Sequence, residues 1–238
     1  MACDESLMAR AEREGVGILR LYSWSSPAIT FGRNESLVGR FDRDALTESG
    51  FDLVRRPTGG RALLHVNEMT YAVAIPMRST DSWRPVYDAI NHTLCVALHA
   101  IGVDARVVGE AEFPALPPAS ALCFASPSPG ELVVDGAKIV ASAVWRDRRS
   151  FLQQGSILID GDQAPLEALA TRDAIPVGAV ATLRSCGVSA SFDDVAAAML
   201  SAFSNEREVT DVSADMQVQR DAGLRVNHFR DIDWLWRR

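Results

Sequence analysis

No apolar run in the 238 residues is long enough to cross a bilayer, so no membrane partner is expected. The first residues, Met1-Ala2-Cys3-Asp4-Glu5, lack the basic-then-apolar order of a signal peptide, and the cytoplasm is the expected compartment. Cysteine is sparse and scattered. Cys3, Cys95, Cys123 and Cys186 form no pair at a metal-knuckle or redox spacing, which argues against a metal site and leaves reduced thiols as the natural reading. Positive charge is also short: 24 Lys and Arg against 31 Asp and Glu give a formal net charge of −7 and a pI near 5.1. Such a field repels nucleic acid. Repeats and low-complexity segments are missing, which removes solenoids and linkers.

What is present is enough apolar sequence, 47%, to bury a sizeable core, read here as one domain over 1–238. Asp4 to Glu14 reads as a helix stopped by Gly15 and Gly17. Ile18–Trp24 and Ala28–Gly32 read as strands around Ser26-Pro27. Asp42 can cap a short helix through Glu48. Phe51–Arg56, Ala62–His65 and Thr70–Ile75 read as further strands, with antiparallel pairing implied. Trp83, Val86, Ile90, Leu94, Ala97, Leu98 and Ile101 recur at three-to-four-residue spacing, an amphipathic helix ended by Gly102. Asp135-Gly136 supplies the positive φ angles of a type I′ turn, so Glu131–Val140 is a hairpin whose second arm continues through Trp145 and pairs with Ser150–Asp160. After Pro165 the chain turns helical, and Ser191 with Asp194 starts a helix carrying Phe192, Val195, Met199 and Phe203 inward. Helices and strands interleave without a βαβ rhythm. The class implied is α+β, mostly antiparallel sheets flanked by helices.

Arg55-Arg56-Pro57-Thr58-Gly59-Gly60-Arg61 joins two strands through a glycine pair, which lets backbone approach a ligand and aim N–H groups at it. Its arginines can hold a phosphate or carboxylate, whereas the Arg146, Arg148 and Arg149 cluster reads as a solvated turn. No Gly-Lys-Ser or Gly-Lys-Thr follows, so this is not a Walker loop. Lys138 is the only lysine of the apparent core segment; a partly desolvated ammonium there can polarise a carbonyl, although a solvent-facing strand lysine is the ordinary alternative. His65 can orient or deprotonate a thiol, or be a satisfied core histidine.

Arg55 to His65, followed by Glu68-Met69-Thr70-Tyr71, resembles the R-R-x-[ST]-G-G-[GR]-A-x-x-H loop of the biotin and lipoate protein ligase superfamily. Arg61 and the Glu-x-Thr-Tyr sequel are most similar to the cysteine-dependent octanoyl-carrier-protein:protein octanoyltransferases. Cys123-Phe124-Ala125-Ser126-Pro127-Ser128 with Glu131-Leu132 resembles the stretch holding their acyl-accepting cysteine, and Lys138 matches the lysine of G-x-K-[IV]-x-G-S-A-Q. Gln153-Gln154-Gly155-Ser156 resembles the family's Q-H-G-S pocket wall. The resemblance implies Cys123 and Lys138 as catalytic residues. It implies Arg56, Thr58, Gly59, Gly60, Arg61, His65, Ser142 and Gly155 as substrate-binding residues. Cys3, Cys95 and Cys186 are read as buried structural thiols.

The activity so implied moves an octanoyl or lipoyl-like group from an acyl carrier protein to a lysine of a lipoyl domain or H-protein, with no cofactor. A thiolate exchanges readily with an incoming thioester, which suits Cys123. The alternatives are an ATP-dependent lipoate-protein ligase, in which Arg55 and Arg56 face phosphate, and a non-catalytic acyl-binding pseudoenzyme; biotin ligation is weaker. The Cys123 neighbourhood and the missing accessory C-terminal domain of larger ligases favour transfer. Ala141 replaces the family glycine after Lys138, Val144 the glutamine and Val66 an aspartate, changes that bear on chain length and on the choice between transfer and ligation. The chain also opens at the first helix without the leading strand usual in relatives, so an absent edge or a misassigned start is expected.

Overall fold

The computed structural model describes residues 1–110, 112, 122–124, 126–171, 178–205 and 209–237. In chain order the elements are α1 (Ala2–Glu14), β1 (Ile18–Tyr22), β2 (Ala28–Phe31), α2 (Arg43–Glu48), β3 (Asp52–Arg55), β4 (Leu63–His65), β5 (Glu68–Pro76) and α3 (Arg84–Ala100). There follow β6 (Arg106–Val107), β7 (Leu132–Val134), β8 (Ala137–Arg146), β9 (Ser150–Leu158), α4 (Ala164–Leu169), α5 (Phe192–Ser204), α6 (Met216–Gly223), α7 (Val226–Arg230) and α8 (Ile232–Leu235).

Local chemistry sets several of these boundaries. The Asp42 carboxylate accepts the N–H groups of Asp44 and Ala45 at the start of α2. Ser191 and Asp194 form a reciprocal capping box on α5. Asp135 and Gly136 take φ of 49° and 81°, the two left-handed residues that a type I′ turn needs between β7 and β8.

Six strands form the larger sheet in the order β1-β5-β9-β8-β7-β6, and every neighbouring pair is antiparallel. One face carries Met69, Tyr71 and Val73 of β5 against the apolar stripe of α3, where Tyr87, Ile90, Leu94 and Leu98 are buried together with Val195 and Met199 of α5. Phe192 and Phe203 sit half-buried at the margin of that core. The other face buries Ala72, Ala74 and Leu152 under Leu7, Met8 and Ala11 of α1. Removing a side chain such as Leu94 from water contributes about 1.5–3 kcal/mol, and two such faces hold the central strands rigidly.

The smaller sheet departs from the expected pairing. Its order is β3-β2-β4, and β2 runs parallel to β3, with Ala28 opposite Asp52 and Phe31 opposite Arg55. The cause is α2, which carries the chain back to the starting edge; a crossover of this kind returns a strand in the same direction, where a tight hairpin would reverse it. The C-terminal helices α6, α7 and α8 fall in the stretch after Pro165 that the sequence marks as helical, without bounds for each. Buried Arg55 fixes α8 in place, donating to the carbonyls of Trp234 and Leu235 as well as those of Gly32 and Glu35. Arg55 is therefore a strut inside the protein and does not face a phosphate site. Among the described residues no helix is long and apolar enough to cross a membrane.

Candidate active site

Lys138 lies on β8 between Val133 of β7 and the 179–181 segment, and its side chain is 2% exposed. It is also the only lysine among the 238 residues. The solvent-facing alternative is thereby removed. Its ammonium donates to the Cys123 carbonyl at 2.7 Å and to the Glu131 carboxylate at 2.7 Å. An ammonium has three N–H bonds, and among the described residues no hydrogen bond takes the third. Burial raises the Cys123 thiol above its ordinary value, Lys138 and then Arg56 pull it back, and Glu131 opposes them.

The glycine loop is bolted in place from below. Arg56 is buried; it donates to the carbonyls of Thr30, Gly59 and Arg61 and to the Thr30 hydroxyl, so it holds the loop's shape. Burial lowers its pKa. Gly60 takes a φ of 84°, and a methyl group on Gly32 would overlap the Gly60 carbonyl, so both positions require glycine. The Glu35 carboxylate accepts from the N–H groups of Gly32 and Ala62 and pairs with Arg40. Sequence reasoning missed Glu35, because a lone acid beside a loop carries no pattern, and it met Glu131 only as part of the stretch resembling the family's cysteine segment, without its ion pair to Lys138. Their significance comes from which donors the fold brings to them.

Of the two readings of His65, the structure matches the satisfied core histidine, and the residue also lines the slot described below. Its Nε2 lies 2.8 Å from the Thr30 hydroxyl, its Nδ1 contacts the Glu68 carboxylate, and Trp24 stacks on the ring at 4.5 Å. With both nitrogens occupied, the imidazole serves a buried polar network in which Glu68 also accepts from Thr70 and Ser156. Thr58 is likewise buried and donates to Gln154, whose amide reaches Asp4 on α1. Thr58 thus braces the loop and lines neither cavity described next.

Two cavities meet at Cys123. A slot of about 20 Å³, with an almost wholly apolar surface, is lined by Met1, Leu63, His65, Ala141, Ala143 and Gly155, among others including Arg56. An open, more polar cavity of about 520 Å³ is lined by Glu35, Arg40, Gly59, Gly60, Arg61, Glu131 and Lys138. Cys123 and Ser142 line both. The structure therefore gathers all the expected residues except Thr58 around one junction. Of the Cys123–Ser128 stretch, Ala125 lies outside the described residues. The remaining thiols are elsewhere: Cys95 is buried as expected, whereas Cys3 and Cys186 are only half-buried.

Antiparallel sheets flanked by helices, with a glycine loop beside a buried lysine, define the class of protein as a lipoate-ligase-like catalytic fold. The sequence profile of the lipoyl protein ligase A/B catalytic domain matches residues 1–204, and the chain belongs to that family. It is 41% identical to the octanoyltransferase LipM of Kyrpidia tusciae over 180 residues, covering 71% of this chain and 64% of that relative. To the octanoyltransferase LipM of an Exiguobacterium species it is 33% identical over 100% of this chain and 93% of that relative. Among solved structures, lipoate-protein ligase A bound with ATP superposes with a TM-score of 0.83 at 21% identity, over 99% of this chain and 92% of that one. A bipartite lipoate protein ligase from Thermoplasma acidophilum gives 0.79 at 19% identity, over 99% and 89%. These likenesses show a shared fold.

Proposed function

We propose that the protein is an octanoyltransferase of protein lipoylation, working in the cytoplasm, that carries its acyl group as a thioester on Cys123. The donor is an acyl carrier protein, the acceptor a lysine of a lipoyl domain or H-protein, and no nucleotide or metal takes part. One observation carries this reading: Cys123 stands where the apolar slot meets the polar cavity, with the Lys138 ammonium 2.7 Å from its carbonyl oxygen. The identity to proteins named octanoyltransferase LipM supports it.

In the first half-reaction the acyl tail occupies the slot. The slot has room for about one water molecule when empty, so side chains such as Met1 move aside to admit the tail. The Cys123 sulfur attacks the donor thioester, the carrier's sulfur leaves, and the proton lost by Cys123 ends on the departing thiol. The free N–H of Lys138 polarises the carbonyl oxygen as charge builds there. In the second half-reaction the acceptor amine attacks, the bond to the Cys123 sulfur breaks, and that sulfur regains a proton from the amine. Exchange between thioesters is near balance, and amide formation draws the sequence forward. Arg40 and Arg61 line the polar cavity, a charge that suits acidic carriers.

The test is intact-protein mass after mixing with octanoyl carrier protein. A gain of one octanoyl unit, removed by hydroxylamine and lost in Cys123→Ser, is expected. Labelling that requires free acid and ATP would replace this reading with the ligase. No labelling under either condition would leave a binding protein.

A further inference from the structure

Tyr71, Gly155 and Ser142 lie directly opposite one another on β5, β9 and β8, forming one row across three strands. A side chain at the middle position would separate the outer two. Because position 155 has no Cβ, the Tyr71 ring crosses over it, and a methyl there would overlap the ring and its hydroxyl. The phenol oxygen thereby reaches the Ser142 hydroxyl at 2.8 Å. Behind it stand Gln153, whose amide nitrogen donates to the Tyr71 oxygen at 3.0 Å and to the Asn91 side-chain oxygen at 2.8 Å. All three supporting side chains, Tyr71, Gln153 and Asn91, are fully buried.

Either hydroxyl can donate in the Tyr71–Ser142 contact, and one of the two directions makes a relay toward the cavities. Tyr71 has one, and its oxygen already accepts from Gln153, so the phenol hydrogen is free to go to the Ser142 oxygen. The Ser142 hydrogen is then left for a further acceptor, and Ser142 lines both cavities at the Cys123 junction. Burial lifts the Tyr71 pKa to about 12, which keeps the phenol protonated as a donor at neutral pH. The arrangement carries a cost, because Gln153 Oε1 is buried without a partner among the described residues. A row tuned for stability alone would be apolar here.

We propose that Asn91, Gln153 and Tyr71 are positioning residues that hold the Ser142 hydroxyl as a hydrogen-bond donor to the acyl carbonyl during transfer at Cys123. This rests on the thioester reading above. Ser142 touches the reacting carbonyl beside Lys138, and the other three act through it. Successive hydrogen bonds polarise one another, so the last donor in the chain is stronger than an isolated serine.

The test is the single-turnover rate of Cys123 acylation by octanoyl carrier protein, read by quenched-flow mass measurement. Ser142→Ala should slow acylation on the order of 10²-fold. Tyr71→Phe, which removes one oxygen, should slow it on the order of tenfold with donor KM unchanged. The double variant should be no slower than Ser142→Ala alone, because Tyr71 has nothing left to orient. Gln153→Met, cutting the chain one link back, must give the same non-additive pattern and decides the matter if Tyr71→Phe fails to fold. Unchanged rates, or slowing that multiplies in the Ser142→Ala background, would overturn the relay while leaving the thioester in place. A wild-type protein that forms no Cys123 adduct would instead overturn the reading on which the relay rests.

Discussion

Lys138 and Glu131 make an ion pair of 2.7 Å in which the side chains are 2% and 6% exposed, and the Glu131 carboxylate also accepts the N–H of Ser128. The pair joins β8 to the segment that follows Cys123. One contact thus sets both the position of the ammonium and the path of the chain that presents the sulfur.

Neutralising either partner leaves the other charge buried alone. Glu131→Gln and Lys138→Met are each expected to weaken folding by about 3–5 kcal/mol, while the double variant loses less than the sum. Urea unfolding of the four proteins checks this. Equal stability of Glu131→Gln and wild type would show that the charges are not coupled.

Alkylation of Cys123 by iodoacetamide reads its titration directly. Because burial outweighs the neighbouring cations, the rate should rise with an apparent pKa above the ordinary 9.0. In Lys138→Met the profile moves further up, since the first of the opposing charges is gone. A downward shift would mean that Lys138 does not act on the sulfur.

Asp4 supplies a pH signature at the other end of the site. Burial alone would raise its carboxyl, but the N-terminal ammonium and Arg20, with hydrogen bonds from Arg20 and Gln154, bring it below the ordinary 3.8. A carboxyl whose pKa is lower folded than unfolded contributes stability in full above the unfolded value, and loses it as pH falls through the folded one. Asp4→Asn should therefore lower the melting temperature at pH 6, and the gap to wild type should close below about pH 4. A gap that persists unchanged to pH 2.5 would contradict the ion-pair account.

The sequence made some of this legible because the signals are local. The α3 stripe, the Asp135-Gly136 turn and the Ser191 capping box are each written within a few residues, and each forms, with Trp83 left exposed at the N-cap of α3. The nearness of Cys123 and Lys138 rested on family resemblance, since residues 15 positions apart reveal no contact by spacing. What stayed hidden depends on long-range geometry. The parallel β2–β3 pair follows from the route taken through α2, and the strut role of Arg55 depends on carbonyls about 180 positions away. His65 carries the right residue type for a base, yet only the fold could reveal that Thr30 and Glu68 claim both of its nitrogens.

Ala141 offers the sharpest handle on substrate choice. The motif that Lys138 resembles has glycine at this position, and in this chain the extra methyl is buried beside Leu63, Phe124 and Cys123 at the wall of the slot. A methyl at that point shortens or narrows the space open to an acyl tail, and one methylene in an apolar pocket changes discrimination on the order of tenfold. Ala141→Gly should thus move the preference toward longer acyl groups by about that factor, at a folding cost below that of a large core truncation. Competition among carrier proteins loaded with 6-, 8-, 10- and 12-carbon acyl groups, read by the mass of the Cys123 adduct, gives the ratio in one experiment. An unchanged length profile would place the limit elsewhere on the wall, with Met1 the next side chain to shorten, because its thioether already meets the Gln154 amide in the same slot.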